Sequence, residues 1–208
     1  MFDFGGPVLL TPFELRHIGE DALGLPPGTF AWTGPFNPAA DPQWQAFQAG
    51  EINEREYWDV QVARFAELTG LDARMPVMMG YLYTGTQETL IRPAAWLLLR
   101  DAQCAGRPVG MLTNDLTAFH DASWVNRMTI IQEFDAQVDG RSDGVLKPDP
   151  AAYLLICERL GVPPAEVVFL DDQPVNLTGA ASVGMQCVHI DPTNPGPGFV
   201  AARELLRL

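Results

Sequence analysis

The sequence predicts an α/β fold: a parallel sheet flanked by helices, with a small helical region ahead of most of it. Two observations predict it. From Arg92 onward, short apolar runs alternate with helical patterns, which is the mark of βαβ units. Between residues 11 and 89, several amphipathic stretches occur without a convincing buried strand.

The elements follow in order. Pro26-Pro27-Gly28 and Gly34-Pro35 mark loops. Asn53-Glu54-Arg55-Glu56 reads as a capping box, and Trp58, Val62 and Phe65 then fall on one helix face. Gly70 stops that helix. Pro93 opens a helix through Trp96, Leu97 and Leu99 to Cys104, and Gly106 ends it. Val109-Gly110-Met111-Leu112 is a short buried strand that stops at Thr113-Asn114. A helix-rich stretch runs from Leu116 to Phe134. Asp149-Pro150 combines an N-cap with a proline at the first helical position, and Gly161 follows the helix end at Leu160. Val167-Val168-Phe169-Leu170 is a strand ending at Asp171-Asp172. Pro174 starts another helix, and residues 186–190 form another strand. Continuously apolar strands suit a parallel sheet, because helices cover both of its faces.

Composition narrows the function. The 208 residues suffice for a buried core without disulfides, and 47% hydrophobic residues exclude disorder. With 26 Asp+Glu against 13 Lys+Arg, the net charge of -13 opposes partnership with nucleic acid or an anionic membrane. It still permits a phosphorylated metabolite, since one local site can be positive on an acidic protein. The longest apolar run, Ala94 to Leu99, is far short of the ~20 residues a bilayer span needs. No signal peptide is expected ahead of Asp3. Cys104, Cys157 and Cys187 lie in apolar segments and read as buried, reduced thiols, so a cytoplasmic setting is expected. Twelve of the thirteen cations are Arg; the exception is Lys147.

Four polar clusters sit beyond the apolar strands or in the connections: Asp3, Thr113-Asn114, Lys147 and Asp171-Asp172. In open α/β sheets ligands bind outside the carboxyl ends of the strands, so these clusters can converge at one edge. Each alone is as readily a helix cap or a solvated charge. Together, three carboxylates repel one another, and a hard cation such as Mg²⁺ relieves that repulsion through oxygen ligands. A hydroxyl, an amide and an ammonium complete the parts of a phosphoryl-transfer site, in which an Asp can be the nucleophile.

The order of these motifs resembles the haloacid dehalogenase superfamily, close to its small-capped phosphatase-like hydrolases. Phe2-Asp3-Phe4-Gly5-Gly6 resembles its first motif, Leu112-Thr113-Asn114 its second, Val145-Leu146-Lys147-Pro148-Asp149-Pro150 its third, and Val168-Phe169-Leu170-Asp171-Asp172 its fourth. Asn176 fits a supporting polar position, and Gly179-Ala180 and Gly184-Met185 continue the pattern. The resemblance implies a Rossmann-like core over residues 1–10 and 90–208, with an inserted helical cap over residues 11–89. It implies Asp3 as nucleophile and Mg²⁺ held by Asp3, the Gly5 carbonyl and Asp172, with Asp171 acting directly or through water. Thr113, Asn114 and Lys147 would bind the phosphate of a small phosphorylated substrate, and Lys147 would also orient Asp3.

Three departures from the family pattern stand out. Gly5 occupies the position where the family's phosphatases carry a second Asp, the general acid and base; His17 or Glu14 are the candidates to replace it. Only two residues precede Asp3, fewer than a strand usually has. Pro7 follows the motif where a β-branched residue is usual. Other readings lead elsewhere. A metal-free 2-haloacid dehalogenase would need Tyr two residues after Asp3 and an uncharged fourth motif. A non-catalytic member would bind a phosphorylated ligand or a partner without turnover. A phosphoacceptor receiver domain would have its acidic pair first in the chain. Trp32, Phe36, Trp44 and Tyr83 are candidates to line a pocket or to fill a core.

Overall fold

A computed structural model describes residues 1–208, which divide into two units. One is helical and comprises Thr11–Gly85 with Ala118–Asp121; the other comprises Met1–Leu10, Thr86–Thr117 and Ala122–Leu208.

In the helical unit, α1 (Pro12–Ala22) starts at a capping box made by Thr11 and Glu14, with proline at its first position. Asp41 caps α2 (Pro42–Gln48). The Asn53–Glu56 box opens α3 (Glu54–Thr69), and Gly70 closes it in the left-handed conformation at φ 72°. Next comes α4 (Met75–Leu82). Trp58, Val62 and Phe65 are buried as their spacing predicts, and Tyr57 and Gln61 join them. Trp32 stacks on Phe30 at 4.4 Å; Trp32, Trp44 and Tyr83 are core, whereas Phe36 is exposed. Asp41 is buried and accepts hydrogen bonds from the Thr33, Gly34 and Trp44 amides and the Tyr57 hydroxyl. Burial alone would raise its pKa; these donors outweigh it and hold the carboxyl below its usual range.

Residues 118–121 belong to this unit because Phe119 meets Trp58 edge-on and His120 meets Tyr83 edge-on at 4.9 Å. Burial pushes the His120 pKa down to about 3, with Asp121 opposing only partly. An unfolded His titrates near 6.5, so the stability of the neutral buried ring is complete above that pH. It is lost as pH falls from 6.5 toward 3. Urea unfolding at pH 7 and pH 4.5 should show the wild type losing about 2–3 kcal/mol more than His120→Gln over that interval. Equal losses in the two proteins would refute the assignment.

The second unit begins with residues 1–3, which run through the middle of the sheet. It continues with α5 (Gln87–Leu90) and α6 (Pro93–Cys104), then β1 (Gly110–Thr113). After α7 (Leu116–Phe119), whose last two residues belong to the helical unit, and α8 (Ala122–Arg127) come β2 (Ala136–Asp139) and α9 (Gly140–Asp143). The chain then forms α10 (Pro150–Leu160), β3 (Val168–Asp171), α11 (Pro174–Ser182), β4 (Gln186–His189) and α12 (Gly196–Leu206). β1 pairs with β2, and β3 with β4, all parallel. Phe2 bridges Met111 and Leu170, so residues 1–3 join the pairs. The Phe2 amide donates to the Gly110 carbonyl, the Leu112 amide to that of Phe2, and the Asp3 amide to that of Leu170.

The spatial order is therefore β2, β1, residues 1–3, β3, β4: a doubly wound sheet whose switch point is the N-terminal segment. Two flanking strands satisfy these three residues from both sides, which is why so short a segment holds its place. The core beneath includes Leu112, Val138, Tyr153, Ile156 and Phe169. Phe169→Ala-type losses at such sites run to about 3–5 kcal/mol.

The strand β2 is additional to those expected from the sequence. Gln137 and Asp139 are half-buried while Ala136 and Val138 are buried, so the segment alternates where β1 and β3 are buried throughout. The cysteines differ from expectation: only Cys157 is buried, Cys187 is half-buried, and Cys104 is exposed at the end of α6. No helix is long and apolar enough to cross a membrane.

Candidate active site

Because the strands are parallel, their carboxyl ends share one edge. Thr113 lies in register with Asp139, and Asp171 with His189. Asp3 leaves the sheet between β1 and β3, at the switch point, the position where ligands bind in open α/β sheets.

Lys147 is wedged beside it. Its Nζ lies 2.9 Å from Asp3 Oδ1 and 2.6 Å from Asp171 Oδ2, with the side chain 1% exposed. Nζ also sits 5.5 Å from the centre of the Phe169 ring. Burial works against the ammonium, but the Asp171 and Asp3 carboxylates outweigh it and hold its pKa above the usual value. The main chain of Lys147 is clamped by Asn114: Oδ1 accepts the Lys147 amide at 2.8 Å, and Nδ2 donates to its carbonyl at 3.0 Å. Asn114, expected among the phosphate-binding residues, thus engages Lys147 through both polar atoms of its carboxamide. Thr113 is buried at the end of β1 on the same sheet edge.

The two adjacent aspartates have different surroundings. Asp171 is fully buried and accepts from Lys147, from the Gln173 amide at 2.8 Å, and from Asn176 Nδ2 at 3.1 and 3.2 Å. Tyr153 braces Asn176 by donating to its carbonyl at 2.7 Å. Asp172 is half-buried and faces Gly6. A Cβ on Gly6 would sit 2.6 Å from Asp172 Cγ, and Gly6 has φ +82°, so only glycine lets this carboxylate in. Across that cleft, the buried Arg92 donates from Nε to the Gly6 carbonyl at 2.5 Å.

Asp3, Asp171 and Asp172 offer carboxylate oxygens all within 4.8 Å of one another. One ammonium offsets only part of three negative charges. A hard divalent cation fits this oxygen set and the remaining charge, with Asp171 already tied to Lys147 and Asp172 turned outward. Gly5 is exposed, and a Cβ there would meet nothing within 4 Å. Of the two candidates to replace the general acid, Glu14 is the cap partner of the Thr11 amide and hydroxyl, and His17 is exposed on α1.

Three structural contributors are not flagged by the sequence motifs: Arg92, Tyr153 and His189. The last stands at the carboxyl end of β4, the position where site residues collect, and is the one a strand-end rule would find.

A family model for haloacid dehalogenase-like hydrolases matches residues 39–184. The chain is 32% identical over 199 residues to Phosphatase MT3486 of Mycobacterium tuberculosis, covering 92% of this chain and 86% of that protein. It is 29% identical over 199 residues to mouse acyl-CoA dehydrogenase family member 10, covering 92% of this chain but only 18% of that much longer protein. The L-2-haloacid dehalogenase of Xanthobacter autotrophicus shares the fold, with a TM-score of 0.56, 20% identity, and coverage of 99% of this chain and 81% of that one.

Proposed function

Because the chain belongs to the haloacid dehalogenase-like hydrolases, we propose that it is a Mg²⁺-dependent phosphatase acting on a small phosphorylated metabolite. One observation carries this reading: a buried ammonium is shared by Asp3 and Asp171 beside a third carboxylate at the sheet's switch point. The similarity to a named phosphatase over most of both chains supports it.

In this reading Asp3, Asp172 and the Gly5 carbonyl hold Mg²⁺, with Asp171 behind them. The bound ion supplies Lewis-acid neutralisation of phosphoryl charge. Asp3 is the nucleophile. Its Oδ1 accepts the Phe4 amide at 2.7 Å and faces the Lys147 ammonium, and these contacts fix the plane of the carboxylate. An Asp3 oxygen attacks phosphorus, and the bond from phosphorus to the ester oxygen breaks. That oxygen leaves with the electron pair and takes a proton from water, since Gly5 offers no acid. Water then attacks the aspartyl-phosphate at phosphorus, releasing inorganic phosphate and restoring the Asp3 carboxylate. Thr113 and Lys147 hold the phosphoryl oxygens, with Asn114 keeping Lys147 in place.

The test is a phosphate-release screen over sugar phosphates, nucleotides and organic acid phosphates, with Mg²⁺ and with EDTA. Release that needs Mg²⁺ is expected, greatest for esters with good leaving groups. No turnover of any ester would favour a ligand-binding role. EDTA-resistant halide release from a chloro-acid would favour a dehalogenase.

A further inference from the structure

We propose that His189 is a positioning residue of the carboxylate cluster: its hydrogen bond to the Asp172 carbonyl holds the turn that sets Asp172 against Gly6, and thereby sets the affinity for the divalent cation. The inference rests on the reading of Asp172 as a metal ligand.

The last rung of the β3–β4 ladder runs from the Ile190 amide to the Asp171 carbonyl at 3.0 Å. The Asp172 carbonyl lies beyond the ladder, where the chain leaves the sheet. His189 Nε2 reaches it at 3.0 Å. A carbonyl oxygen only accepts, so Nε2 is the donor in this contact. The imidazole thus adds one rung that the backbones do not make.

This rung falls on a site-bearing residue. Asp172 is the outward-turned member of the acidic pair, and its carboxylate enters a gap that closes to 2.6 Å when a Cβ is placed on Gly6. Gln173 Nε2 lies 3.5 Å from Asp172 Oδ2. The facing wall is pinned by Arg92 through the Gly6 carbonyl. Both walls are therefore held by side-chain N–H groups on main-chain carbonyls, and His189 holds the wall that carries the ligand. Groups that orient metal ligands in this way change metal affinity when removed, without touching the ion.

Calorimetric titration of the full chain with Mg²⁺ alone tests this. His189→Ala and His189→Phe should each raise the dissociation constant about tenfold. His189→Gln, which restores a donor at similar reach, should stay within about threefold of wild type. Thermal melts without metal should be alike, since the ring is exposed. Wild-type affinity in the Ala and Phe variants, or equal weakening in Gln and Ala, would overturn the proposal while leaving the phosphatase reading intact. Absence of Mg²⁺ binding by the wild type would remove both.

Discussion

Asp3→Asn should lower phosphate release at least ~10³-fold while leaving the melting temperature within a few degrees. The amide matches the carboxylate in shape, and its oxygen can still accept the Phe4 amide and face Lys147, so the local structure persists. It cannot serve as the nucleophile. It also removes one of the two carboxylates that hold Lys147, leaving Asp171 as the remaining partner at 2.6 Å. Phosphate release at saturating Mg²⁺, alongside a thermal melt, separates chemistry from folding. Residual activity within tenfold of wild type would exclude Asp3 as nucleophile.

Gly5→Asp should increase turnover of alkyl phosphates by about 10²-fold and leave aryl phosphates nearly unchanged. A poor alkoxide leaving group needs a proton in the transition state, whereas a phenolate does not. The substitution is sterically permitted: a Cβ at Gly5 meets nothing within 4 Å, in contrast to its neighbour Gly6. Gly5 also lies outside the positive-φ glycines, so a side chain adds no backbone strain there. Comparing kcat for an alkyl and an aryl ester in the two proteins isolates acid assistance. A uniform change in both esters would mean that the new carboxylate acts on the metal site or the backbone instead.

Much of this was legible in the sequence because it depends on local chemistry. The capping box at Asn53, prolines at the starts of α6, α10 and α11, and Gly70 and Gly161 at helix ends act within one turn of chain. The apolar runs at 109–112 and 167–170 are buried by both faces and stand out for that reason. β2 did not stand out. It is an edge strand of four residues in which Val138 is the one strongly apolar side chain, and its pairing with β1 is a tertiary event.

The acidic pair shows where local information ends. Asp171 ends β3 and is fully buried, whereas Asp172 begins the bend beyond the strand and is half-buried. In a strand covered on both faces, no alternation of polarity marks which is which. Only the packed structure assigns Asp171 to Lys147 and Asn176, and Asp172 to the Gly6 cleft. The same holds for Asn114, whose carboxamide finds the Lys147 backbone across 33 positions of sequence.

By itself, then, the sequence determined the α/β class, the residue types of the site and their order along the chain, since periodicity, caps and motif spacing are short-range properties. The tertiary structure alone decided that residues 1–3 occupy the centre of the sheet, that the sole lysine lies between two carboxylates, and that His189 and Arg92 brace the cleft. Each of those facts depends on hydrogen bonds between strands or loops far apart in the chain. Sheet order and burial create such contacts, and no local pattern encodes them.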